Sequence, residues 1–219
     1  MKDLFTALAP SYLADTIDTL LATKKTTDEY KSFIANIFND VLGVAEDDPV
    51  WKLFAALDAE SDYWTAPAST RYHGSHECGL VRHSLAVLSK AIRLYPVMVG
   101  GAPDMYHLVV SCLFHDLCKV NMYERKSRNV KNEKTGAWEA VPCYFVRADY
   151  ISFGHGIESM LRLNRFIKMP VQWNHAIRWH MGAYDLSESD APSHKKALGL
   201  YKEVLLLHSA DMQAALVDA

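Results

Sequence analysis

Two aspartates and three histidines stand within stretches whose apolar residues repeat with a helical period, and this placement limits what the chain can fold into. On a helix expected from Leu80 to about Tyr95, His83 shares a face with Val87 and Ala91. On a helix expected from about Met105 to Lys119, His115 follows Leu108 and Cys112 on one face. Asp116 is beside it, and Lys119 lies one turn further on the same face as His115. A helix over 170–181 aligns His180 with Trp173, Ala176 and Ile177, and a helix over 193–217 aligns Asp211 with Val204, Leu207 and Ala215. Four helices thus turn a ligand-type side chain towards the interior. A buried, unpaired carboxylate costs several kcal/mol, so folded chains pair it, hydrogen-bond it or place it on a metal. Two such aspartates among neutral imidazoles, with few buried cations, point to the metal. Imidazole with carboxylate suits Fe, Mn, Ni, Co, Zn or Mg.

The rest of the chain frames these helices. Residues 3–22 read as one or two amphipathic helices separated near Pro10. Thr26, Thr27 and Asp28 offer a cap to a helix over 28–43, and a third helix runs from Pro49 to Ala59. The segment 61–79 lacks periodicity and reads as an ordered loop, of a length often tied to function. Around the NEKTG turn, Val130 and the run Trp138 to Val146 alternate, which predicts a β-hairpin within 128–148. A further helix is expected at 155–166. The expected fold is all-α, a helical bundle with one small hairpin insertion. A helical segment over 1–60 would pack on a main domain over 61–219, and its wide apolar faces permit a homodimer without demanding one.

Composition narrows the function classes. The net charge of −3 argues against an extended nucleic-acid surface, yet leaves room for a small phosphate-bearing substrate held locally. The four cysteines form no C-x-x-C pair and suggest reduced, packed thiols in a cytoplasmic protein. The first residues carry acidic side chains within their apolar pattern, unlike a signal peptide, and no apolar run reaches membrane-span length, so no membrane partner is expected.

The ordered pieces GLVRHSLAVL, LFHDLCK, FGHGIES, IRWHMG and LLHSADMQA resemble the H…HD…H…H…D signature of the HD superfamily of metal-dependent phosphohydrolases. The resemblance covers residues 66–215. The stretch PASTRYHGSHECGLVRHS is also similar to the lead-in to the HD domain of certain bacterial 3′–5′ exoribonucleases. The resemblance implies that His83, His115, Asp116 and Asp211 are the metal ligands shared across the superfamily. It implies that His155 and His180 are the added histidines of its binuclear branch, in which Asp116 would bridge two metals. Lys119 resembles a lysine near the scissile phosphate, so Asp116 and Lys119 are the expected catalytic residues. The implied cofactor is one or two divalent ions (Fe, Mn, Ni, Co or Mg). The implied reaction is attack of metal-activated water on a phosphate ester of a nucleotide or short oligonucleotide. Arg125, Lys126, Arg128 and Arg147 are further cations that a phosphate could meet. The rival functions are a di-iron oxygenase and a nucleotide-binding module without turnover. The chain departs from the exoribonuclease pattern in its helical residues 1–60 and in the 128–148 hairpin. His175 is expected at the surface or behind the ligands. His73 and His76 are expected to be structural, with a role over the site entrance as the lesser alternative.

Overall fold

The computed structural model describes residues 10–217. Its elements, in order, are α1 (Pro10–Leu21), α2 (Thr27–Asn36) running into a π-helical turn (Ile37–Val41), α3 (Pro49–Glu60), α4 (Gly79–Met98) and α5 (Met105–Phe114). A 3-10 turn (Leu117–Lys119), β1 (Tyr123–Lys131), β2 (Trp138–Val146), α6 (His155–Asn164) and α7 (Val171–Trp179) follow. A second 3-10 turn (Gly182–Asp185), α8 (Ala191–Leu200) and α9 (Lys202–Val217) complete the chain. The fold is mostly helical with a single two-stranded antiparallel sheet among the described residues. The first part of the helix expected over 3–22 lies outside the described residues.

The local signals explain most starts. Thr26 and Glu29 form a reciprocal capping box before α2, Asp48 caps α3 with Pro49 in its first turn, and Asp104 caps α5. Helix α4 is buried on most of its circumference and is the central strut; α1, α5 and α9 pack against it, and α9 also packs on α7. The loop 61–79 is ordered by backbone bonds from Cys78 to Thr65, Leu80 to Ala66 and Ala68 to Gly74. Gly79 passes so close to Gly74 that a Cβ there would overlap the Gly74 carbonyl.

Several expected helices stop early. The helix expected to 119 ends at Phe114, and the one expected to 181 ends at Trp179. Pro170 is the extended residue ahead of α7 and not part of its first turn. The helix expected over 193–217 is two helices, broken at an extended Tyr201 whose ring stacks on His175. The hairpin is longer than expected, beginning at Tyr123, with nine cross-strand pairs from Tyr123 with Val146 to Lys131 with Trp138.

The helices before residue 61 and those after it share one continuous core. Phe38 meets Tyr106, and Phe54 meets Trp64 and Phe114, in mostly edge-on aromatic contacts. Arg82 of α4 reaches back to the Leu21 carbonyl and the Tyr30 hydroxyl. A Phe54→Ala variant is expected to lose about 3–5 kcal/mol. In a urea titration followed by circular dichroism and tryptophan fluorescence, both signals should shift together as one transition. Separate midpoints would show that the two parts unfold independently.

Candidate metal centre

Six side chains from five separate places in the chain gather into one cluster about Asp116, which is 2 % exposed. His83 comes from the second turn of α4, His115 and Asp116 from the end of α5, His155 from the start of α6, His180 from the end of α7 and Asp211 from α9. His83 Nε2 lies 2.9 Å from Asp211 Oδ1 and 3.9 Å from Asp116 Oδ2. His115 Nε2 lies 3.5 Å from Asp116 Oδ2 and 3.7 Å from Asp211 Oδ1. On the other side, His155 Nε2 is 2.7 Å and His180 Nε2 is 3.4 Å from Asp116 Oδ1. The two oxygens of one carboxylate therefore face two different groups of imidazoles.

The helix ends have a local cause. His115 is the residue after α5, and its Nδ1–H donates to the Cys112 carbonyl at 2.8 Å. His180 is the residue after α7, and its Nδ1–H donates to the Ile177 carbonyl at 2.7 Å. Each ring satisfies a carbonyl that a terminating helix leaves open. Each ring is thereby fixed in the tautomer that leaves the Nε2 lone pair free. Both of these Nε2 atoms are fully buried and have no partner.

Close packing sets the remaining positions. Gly156 lies against the end of α7, where a Cβ would sit 2.2 Å from the Arg178 carbonyl oxygen, and this brings His155 beside His180. The His208 ring, one turn before Asp211 on α9, donates from Nδ1 to the His180 carbonyl at 2.6 Å and packs on Gly182.

Lys119 is buried and its ammonium donates to Asp116 Oδ2 at 2.6 Å. Burial alone would raise the Asp116 carboxyl, but Lys119, His115 and His155 outweigh it and hold it well below the usual range. Asp211 is likewise held low against burial by the facing imidazoles of His83 and His115. Burial would lower His155, yet the adjacent Asp116 pushes it up to about 10. His180, enclosed and beside His115 and His155, is pushed down, mainly by burial.

Some residues at this site carried little sequence signal. The His73 ring lies tilted against that of His83, centroids 4.7 Å apart, with its Nε2 buried and unpartnered, and burial together with the nearby His83 and Lys119 pushes it down to about 4. Cys118, read as a packed thiol, has its sulfur within 4.8 Å of ligand atoms of Asp116 and His155. His76 is exposed and donates to the Glu77 carbonyl, as suits a structural residue. The distal cations separate. Arg125 lines a cavity with Tyr123 and Tyr144, and Arg128 lies on the opposite face of the hairpin. Lys126 pairs with Glu124. Arg147 pairs with Asp149 and lines a different groove, with Tyr150 and Arg162.

The donor set fits divalent cations. Unpartnered, buried imidazole nitrogens beside an ionised carboxylate are costly unless something positive takes their lone pairs. Such a cation binds deprotonated imidazole and must displace the proton that Asp116 stabilises on His155. The apparent affinity for Mn²⁺ or Zn²⁺ should therefore climb as pH rises from about 6.5 towards about 9.5, as measured by competition with a chromophoric chelator. A flat profile would remove His155 from the ligand set. No family model matches this chain, and no curated protein or solved structure compared with it is detectably similar.

Proposed function

We propose that the chain is a metal-dependent phosphohydrolase of the HD type, cleaving a phosphate ester of a nucleotide or short oligonucleotide. The reading is supported above all by the divided Asp116 carboxylate, with His83 and His115, which also face Asp211, near one oxygen and His155 and His180 near the other. His83, His115, Asp116 and Asp211 would hold one divalent ion, and Asp116, His155 and His180 a second. Divalent ions held there would supply hydroxide near neutral pH and offset charge developing on the phosphate.

The chain's own groups do the rest. Lys119 keeps Asp116 ionised, and its compact ammonium, at the edge of the cluster, can donate to a phosphate oxygen. The Tyr123 hydroxyl is pushed up to about 12, chiefly by burial, so it stays protonated and can donate. His73 covers the His83 ring and stays neutral over the working range, which keeps water and charge off that side of the cluster.

The test is a metal-resolved assay on the pure protein. Bound metal is measured first, then phosphate release from mononucleotides, triphosphates and short oligonucleotides with Mn, Mg, Fe, Co and Ni. Hydrolysis is expected with redox-inert ions and without oxygen. His115→Ala and Asp116→Ala should each lose at least about tenfold in metal affinity or activity. Full activity in both variants would remove the site, and turnover that consumes oxygen would replace hydrolysis with oxygenation. Lys119→Ala separates charge on substrate from charge on Asp116. It should retain metal and lose about a hundredfold in kcat; loss of metal with kcat per bound metal unchanged would make the lysine purely structural.

A further inference from the structure

The hairpin contributes no residue to the buried core, yet one of its faces repeats a pairing of cation and aromatic ring. Alternation places Tyr123, Arg125, Ser127, Asn129 and Lys131 on one face of β1, across from Val146, Tyr144, Pro142, Ala140 and Trp138 of β2. On this face a cation sits opposite an aromatic ring twice, Arg125 with Tyr144 and Lys131 with Trp138, about 20 Å apart along the strand. Trp138 is 70 % exposed, so its ring is open to a stacking partner. Charge is segregated as well. Residues 123–147 hold six lysines and arginines against three glutamates, in a chain whose net charge is −3. Lys126 and Arg147 are spent on Glu124 and Asp149, while among the described residues Arg125 and Lys131 have no ion-pair partner.

We infer that this face of the hairpin is a binding strip for single-stranded nucleic acid, whose bases stack on Tyr144 and Trp138 while Arg125 and Lys131 meet the phosphates. Alternating rings and cations are what a single strand needs, because every base has a face to stack and every link carries a charge. A duplex hides the faces of its bases, and an acidic peptide has none. The strip begins beside the turn that serves the metal centre: Tyr123, its innermost residue, lies four residues beyond Lys119, whose ammonium donates to Asp116. Between Tyr123 and Arg125 lies a cavity of about 280 Å³ bordered by the Asp62 and Glu77 carboxylates, which can accept from exocyclic base amines. This deepens the phosphohydrolase reading and rests on it: the substrate is an oligonucleotide running along the hairpin with its scissile link at Asp116. The overall acidity of the chain concealed this, because the positive balance is confined to one exposed ribbon.

Binding is tested without turnover, by fluorescence anisotropy of labelled single strands of about ten nucleotides in EDTA, with a duplex and a polyglutamate peptide as competitors. The full chain should bind the single strand in preference to both. Trp138→Ala should weaken binding about fivefold or more. Arg125→Glu and Lys131→Glu should each reduce the slope of log affinity against log salt by about 0.7 or more. Lys196→Glu makes the same charge change on exposed α8 and should leave both quantities unchanged. Circular dichroism of each variant checks that the fold is kept. Equal weakening by Lys196→Glu would reduce the effect to net charge and overturn the strip. So would equal competition by polyglutamate, or hairpin variants that bind like the parent. Because no metal is present, loss of the hydrolase reading would leave this binding intact, whereas loss of the strip would leave mononucleotide turnover intact.

Discussion

The arrangement depends on one carboxylate that is buried without being isolated. Asp116 has almost no contact with solvent, a placement that would cost several kcal/mol for an unpaired charge. It is tolerated because an ammonium and four imidazoles surround it, drawn from four stretches of chain. The dependence runs both ways. Removing the carboxylate would leave the buried Lys119 ammonium without its counter-charge. The helices that carry these groups can approach closely only because the charge at their meeting point is balanced. In that sense the centre is also part of the packing of α4, α5, α6, α7 and α9.

The two histidines that end helices show how local bonding prepares the site. A helix that stops leaves carbonyls open, and a side chain is commonly recruited to close them. Here the recruited groups are the imidazoles of His115 and His180, so the bond that terminates each helix also selects the ring tautomer and aims the opposite nitrogen at Asp116. No separate device is needed to orient these rings, and an ion arriving at the centre meets donors whose rotational freedom is already lost.

This economy also explains what could and could not be read from the residues. The apolar periodicity around His83, His115, His180 and Asp211 was legible, as was the mostly helical fold with one hairpin. The helix ends were not, because they are imposed by the ligands themselves: a pattern continuing to Lys119 is indifferent to a ring that bonds backwards to Cys112. Tyr201 escaped for a similar reason, since its extended backbone goes with a stacking contact on His175 from another helix. His73 lies in a loop with no period at all. Its position against His83 follows from the close passage of Gly74 and Gly79, which only the folded chain reveals. The hairpin was visible as alternation, but alternation alone does not say which face looks towards the centre.

The hairpin and the centre are joined more tightly than the exposure of the ribbon suggests. A two-stranded ribbon in water is at best marginally stable, so its position depends on how its base is held. The Arg147 amide donates to the Met122 carbonyl across that base, and the Tyr150 hydroxyl donates to the Cys118 carbonyl within the turn that carries Lys119. Arg162 closes the same turn from below, through the Leu117 and Val120 carbonyls. Any force that tilts the ribbon is therefore transmitted to the three residues between Asp116 and Val120 before it reaches the core. A ligand lying along the ribbon and a charge balanced on Asp116 bear on the same short turn, so occupancy of one should alter the geometry presented to the other.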